Sequence, residues 1–375
     1  MLGMLTPLLL LAAVLPAIDS SGFRDSAGHW RRINQPERIM QANPNQAAYA
    51  PAQVREIAAN VLLFQRTNGG WVKDYDMLAI LTEEQKQLIR ESRARTDTSY
   101  DNNTTHPQVE YLARAFTLVG DPAYREACAR GLDFMLASQY PNGGFPQRWP
   151  NATGIAAHIT FNDGVMMGIL NVLKAAADRE PHFAWLDEPR RARVEAAVLR
   201  GVDCLLRSQV RVAGQLTGWG QQHDATTLAT VPARTFELAC LSPADTTDIV
   251  RFLMRWPTPK PDVRQAIESA VAWLRAVQLT DIRVERVAAP KAEFFRHTAD
   301  FDVVVVPSPG APPLWARMIE LGTNRPIFAS RDGVRVYSLA QVDRERRTGS
   351  GWYGNWPARL IDREYAEWAN KKRDK

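Results

Sequence analysis

The stretch Thr98-Ser-Tyr-Asp-Asn-Asn-Thr-Thr-His106 sets nine polar or aromatic residues directly before an amphipathic segment. Asp101, Asn102 and Asn103 offer side-chain oxygens within three residues, a donor set suited to a hard cation such as Ca²⁺. The same residues also read as a helix start, with Thr105 or His106 as cap and Pro107 in the first turn. His158-Ile-Thr-Phe-Asn-Asp-Gly164 has the same character, and its Asp163 follows Asp101 by 62 residues. Two aspartates with neighbouring asparagine oxygens can hold Ca²⁺ and leave positions open for another ligand. Arg234 and Glu237, three residues apart near helix-starting signals, can form a plain i,i+3 ion pair. Arg325, in Gly322-Thr-Asn-Arg-Pro-Ile-Phe328, and Arg331, in Ser330-Arg-Asp-Gly333, sit in turn-rich chain. There a guanidinium can fork onto a carboxylate, although a surface turn explains either one singly. Oxygen donors for a cation and arginines for carboxylates together describe chemistry on an anionic substrate.

Elements must bring these distant stretches together. Apolar residues recur at helical spacing over Val54–Phe64, Pro107–Thr117, Ala123–Ser138, Gly164–Ala177, Arg191–Ser208, Ile249–Trp256 and Asp262–Ala276. Four of these segments run into a glutamine, at Gln65, Gln139, Gln209 and Gln278, spaced 74, 70 and 69 residues apart. A period of about 70 residues predicts stacked pairs of helices around a common axis. Asn-Gly-Gly-Trp71 and Asn-Gly-Gly-Phe145 follow the first two glutamines and predict a helix stop whose aromatic returns to pack. Helices nearly one repeat apart lie side by side, so Asp101 and Asp163 are expected on one rim. Strand signals are confined to Ile282–Val287 and Asp302–Val306. The expected fold is mainly all-α, an α/α toroid or incomplete barrel of repeated helical hairpins with a few short β elements. From about residue 290, Pro307, Pro309, Pro312 and Pro313 interrupt long helices, and the segment is expected to lie as loops over the helical body.

Composition agrees with a globular protein. The chain has 375 residues, 45% hydrophobic and 23% charged, which excludes collagen, coiled coil, a disulfide scaffold and a polytopic membrane protein. The net charge of +5 is mild for a nucleic-acid binder and suits an acidic polymer. Cys128, Cys204 and Cys240 are too few and too dispersed for a disulfide framework, and buried thiols are expected. Leu5–Ala17 is an uncharged apolar run of signal-peptide length, too short to span a bilayer. Residues 1–20 are therefore a candidate signal peptide, and 21–375 a single catalytic domain exported as a monomer with no nucleic-acid or membrane partner.

Taken together, YDNNTTHPQVEYLARAF, GLDFMLASQYPNGGFPQ, HITFNDGVMMGIL, QQHDATTLATVPARTFEL, DIVRFLM, PPLWARMIELGTNRPIF and RDGVRVYSL closely resemble the family 10 pectate lyases, from about Asn45 to Gly354. The resemblance implies an α/α toroid that cleaves polygalacturonate (pectate) by Ca²⁺-assisted β-elimination. It implies that Asp101 and Asp163 bind calcium with Asn102, and that Arg234, in ARTFEL, is the base. It further suggests Arg325 as the grip on a uronate carboxylate, with Arg331 as its rival, and Lys73 and Asn162 as further substrate contacts. Lys73 follows Trp-Val where the family is expected to carry Trp-Pro. An α/α-barrel glycoside hydrolase using Asp101 and Asp163 as acid and base is the alternative enzyme. A uronan-binding protein without turnover is the alternative outside catalysis. Trp71, Trp149 and Trp219 are candidate sugar platforms, each also explicable as core packing.

Overall fold

The computed structural model describes residues 15–33, 35–256 and 258–370, so most of the Leu5–Ala17 run lies outside the described residues. Eleven α-helices order the described chain: α1 (Arg24–Arg32), α2 (Val54–Phe64), α3 (Glu83–Glu91), α4 (His106–Val119), α5 (Pro122–Ser138), α6 (Val165–Ala177), α7 (Glu188–Ser208), α8 (Pro243–Leu253), α9 (Pro261–Ala276), α10 (Arg344–Gly349) and α11 (Tyr365–Asn370). Helices pair in sequence as α4–α5, α6–α7 and α8–α9. The first members form one row with α2 (α2–α4–α6–α8), and the second members form another behind it (α2–α5–α7–α9). This is an α/α toroid. Its central helix α6 is buried along most of its length, from Val165 to Ala176, as a helix packed on several sides must be.

The repeating glutamine has a structural cause. Gln65 Nε2 donates to the Gly69 carbonyl of its own turn and to the Ala127 carbonyl of α5, both at 2.9 Å. Gln139 does the same to Gly143 and to Ala197 of α7, and Gln209 to Thr217 and to Ala266 of α9. Each glutamine therefore closes its own turn and fastens one second-row helix to the next. The glycines of the turns are forced by contact as well as by backbone. Gly143 has φ +91°, and a Cβ there would stand 2.0 Å from the Arg200 carbonyl; Gly69 has φ +96°, with 2.5 Å to the Arg130 carbonyl.

Four helices, α1, α3, α10 and α11, fall outside the periodic segments, and α8 is covered only in its second half. α3 announces itself differently, by a capping box in which Thr82 and Gln85 exchange side-chain-to-backbone bonds. α8 begins at Pro243, six residues before its apolar pattern becomes clear, with the Ser242 hydroxyl accepting from Asp245 N. The strands of the 282–307 hairpin, Ile282–Glu293 and Thr298–Pro307, are antiparallel and longer than their apolar cores, with an irregularity between Ala288 and Ala292. α10 packs on this hairpin. One hydrophobic core, from Ile18 to Trp368, takes in Trp315, Phe328 and Trp352 of the irregular C-terminal chain. Among the described residues no helix is long and apolar enough to cross a membrane. Cys128, Cys204 and Cys240 are buried free thiols, and burial pushes Cys204 and Cys240 up to about 12.

Candidate active site

The loops before α4 and α6 meet at one rim of the toroid. Asn103 N donates to the Asp163 carbonyl at 3.2 Å, tying the two acidic stretches by backbone. Asn102, Asn103, Thr105 and Asp163 all have positive φ, between 52° and 69°. Asn and Asp tolerate this region, whereas Thr105 is held there by its hydroxyl, which donates to Ser99 O at 2.7 Å and accepts from Trp71 N at 3.1 Å. Neither Thr105 nor Asp163 spends its side chain on a helix cap, so the capping reading of both stretches is replaced by a folded loop.

Asp101 is buried. Its Oδ1 accepts from Gln147 Nε2 at 3.0 Å and its Oδ2 pairs with Lys73 Nζ, which also lies 3.9 Å from Asp74 Oδ2. Burial alone would lower the Lys73 pKa, but the Asp101 and Asp74 charges outweigh it and hold it above the ordinary value. Asp74 Oδ1 accepts from Asn102 Nδ2 at 2.7 Å, which fixes that amide, and Arg38 approaches Asp74 to 3.8 Å. Asp163 accepts from Asn162 Nδ2, while the buried Asn162 Oδ1 has no partner. Burial, and then the Asp101 charge, raise the Asp163 pKa to about 6 although Arg317 and Arg234 pull it down. Asp245, at the start of α8, is buried and raised to about 7.

Arginines face this acidic floor. Arg234 grips Glu237 with Nε to Oε2 and Nη2 to Oε1, both 2.7 Å, and Arg317 Nη2 reaches the same Oε1 at 3.0 Å. The Glu237 hydrogen bonds raise the Arg234 pKa, against its burial. With its amide oxygen turned to Arg317, Gln221 accepts from Nε at 3.0 Å and Nη2 at 3.2 Å. Phe236 is the hub: Arg234, Arg331 and Arg346 lie 4.8, 5.4 and 4.4 Å from its centroid. Arg331 and Arg346 share Glu345, so four guanidiniums share two carboxylates and leave the wall positive.

Asp101, Asn102, Asp163, Asn162 and Lys73 thus form one cluster, with Arg234 near enough for the charges of both aspartates to act on it and Arg331 joined to Arg234 through Phe236. Arg325 stands outside this cluster, stacked 3.7 Å from the centroid of Tyr337, whose hydroxyl donates to Glu320. Trp71 and Trp219 are fully buried with their indole N–H groups on helix carbonyls, which makes them core and not sugar platforms; Trp149 is half-buried.

Gln147, Gln221 and Arg317 escape motif reasoning, yet the repeat marks all three. Trp71, Trp219 and Trp315 each donate an indole N–H to the preceding second-row helix, at Val61, Leu205 and Leu274, and Phe145 fills the corresponding place. Two residues beyond these aromatics stand Lys73, Gln147, Gln221 and Arg317. Lys73 and Gln147 take the two oxygens of Asp101, while Gln221 and Arg317 pair with each other. One position of the repeat therefore feeds the cleft four times.

A hard cation fits what is present. Asp101 and Asp163 lie buried near each other, burial and then the Asp101 charge raise the Asp163 pKa, and Asn162 Oδ1 is an orphaned oxygen donor. Among the described residues no group of three or more His, Cys, Asp or Glu is arranged for a metal, so amide oxygens and a ligand from substrate would have to complete the shell.

The model of the Pec_lyase family, described as pectic acid lyase, matches residues 65–361. A solved family 10 polysaccharide lyase from Cellvibrio cellulosa superposes with a TM-score of 0.71 at 29% identity, over 85% of this chain and 93% of its own. A point mutant of a family 10 polysaccharide lyase from the same organism, in complex with trigalacturonic acid, gives 0.70 at 29% identity, over 84% and 92%. No curated protein sequence matches the chain. Its repeats, its rim and the matched span agree, and the chain belongs to the pectic acid lyase family.

Proposed function

We propose that the protein cleaves polygalacturonate by β-elimination with Ca²⁺ held by Asp101, Asn102 and Asp163. The observation that carries this reading is a buried pair of neighbouring aspartates set against a surplus of guanidiniums, in a lyase of this family. A galacturonate residue presents a carboxylate to both walls. Bound at the two aspartates, Ca²⁺ would draw charge out of that carboxylate and make the C5 proton more acidic. Arg317 and Arg331 receive the same carboxylate from the opposite wall and stabilise the enolate-like charge of the transition state.

Arg234 stands at the C5 proton. A charged guanidinium has no lone pair for a proton, and Glu237 holds Arg234 in that form, so Arg234 must first release Glu237 and lose a proton to solvent. The neutral guanidine then takes the C5 proton, the C5–H pair becomes the C4–C5 double bond, the C4–O bond breaks, and the glycosidic oxygen leaves with a proton from solvent. Arg317 already holds the same Glu237 oxygen and keeps that carboxylate paired when Arg234 departs. Export through the Leu5–Ala17 run, and action as a monomer on polymer outside the cell, complete the proposal.

The test is the ultraviolet absorbance of the new double bond, conjugated to the carboxylate, during incubation with polygalacturonate. Absorbance should rise with Ca²⁺, stop with a chelator and return on adding Ca²⁺. No rise with Ca²⁺ present overturns the lyase reading; an undiminished rise in chelator overturns the metal.

A further inference from the structure

The 282–307 hairpin ends in Phe294-Phe295-Arg296-His297, and Phe295 is 77% exposed, more than any other large apolar side chain among the described residues. Exposed apolar residues are common and single ones need no explanation. This one differs in being held rigidly beside the cleft. His297 Nε2 is 2.9 Å from Thr348 Oγ1 of α10, Phe294 N donates to His297 O at 2.8 Å, and Arg344 donates to the Phe301 and Ala299 carbonyls. Arg347 closes the attachment on Asp302. The tip is thus docked through its base and flanks while the Phe295 ring remains in solvent.

Its neighbours are the arginines of the cleft. Arg331 lies 5.8 Å from the Phe295 centroid and 5.4 Å from that of Phe236, the ring on which Arg234 also rests. Arg296 lies 4.7 Å from Phe295. The tip therefore borders the arginine wall.

We propose that Phe295, with Arg296 beside it, is a subsite that takes a uronate ring of the polymer beyond the sugar that Arg331 holds, the aromatic face on the sugar and the Arg296 guanidinium on its carboxylate. The assignment rests on the pectate reading for its ligand. A rigid aromatic surface gains contact at little entropic cost, and the flanking charges match a polyanion at each sugar. A short oligomer filling only the positions around Arg234 gains nothing from it, whereas a long chain does.

The experiment compares kcat/KM on polygalacturonate with kcat/KM on trigalacturonate for the wild type, Phe295→Ala and Phe295→Trp. The ratio of polymer to trimer should fall about tenfold in Phe295→Ala and recover in Phe295→Trp, the range expected for one lost stacking contact. Loss at this exposed site costs little stability, so folding does not confuse the result. An unchanged ratio in Phe295→Ala overturns the subsite. Should the wild type cleave neither substrate, the pectate reading falls, and electrophoresis in gels containing polygalacturonate tests the tip directly. Retardation of wild type but not of Phe295→Ala supports it; equal mobility overturns it.

Discussion

At the scale of the residue, the active site is costly to the protein that carries it. Asp163 has an ordinary pKa of 3.8 and a folded value of about 6, so the folded chain holds its proton longer than the unfolded chain does. Metal-free stability from this group is complete below about pH 4 and is lost as pH rises through about 6. Asp163→Asn, which also tolerates positive φ, should therefore raise metal-free stability at pH 8 by about 1–3 kcal/mol while abolishing any further rise with Ca²⁺. Denaturant melts with and without Ca²⁺ check both parts; a destabilised variant would contradict a cost for burying the Asp163 charge. In the wild type, Ca²⁺ affinity should weaken as pH falls through about 6, measurable by titration calorimetry. Arg234 carries the second test. Lysine keeps the positive charge but has a pKa about 2 units lower. If Arg234 itself accepts the proton, Arg234→Lys should move the ascending limb of the pH–rate profile to lower pH by about that much. A uniform loss at every pH would transfer the acceptor role to a water held by Arg234.

Elements explain both what was legible and what was not. The helix pairs, the glutamine period and the two acidic stretches could be read because each is local: a periodic face, a turn, a loop before a helix. The fourth repeat was hidden. Six residues separate Gln65 from Trp71 and Gln139 from Phe145, ten separate Gln209 from Trp219, but 37 separate Gln278 from Trp315. The 282–307 hairpin fills that gap, so Trp315 and the Arg317 behind it lose their register in the sequence. Arg325 drew attention through its motif, and its guanidinium stacks on Tyr337. The glutamine fastenings permit a test independent of activity. Gln209→Ala would leave the buried Thr217 carbonyl without this donor and cut the tie to α9 at Ala266, and should cost about 1–3 kcal/mol, read as a lower denaturation midpoint. A neutral result would show that the helices hold their spacing without it.

For the whole molecule, the +5 surplus is distributed unevenly. The cleft wall of Arg234, Arg317, Arg331 and Arg346 outnumbers its carboxylates, and a polyanion should be drawn to it before contact. At fixed Ca²⁺, kcat/KM on polymer should fall about tenfold between roughly 0.01 and 0.15 M monovalent salt, as the Debye length contracts from about 30 to about 8 Å. An absence of salt dependence would place the surplus elsewhere.

The residue two places beyond each returning aromatic has a consequence for how such a cleft can change. Lys73, Gln147, Gln221 and Arg317 are each delivered by a separate structural unit whose turn is closed by its own glutamine or indole. Substitution at any one leaves the framework bonds of the other three intact. The toroid thus behaves as a socket with four interchangeable pins: charge and reach around the bound sugar can be rewritten one pin at a time, while the frame that sets their spacing stays fixed.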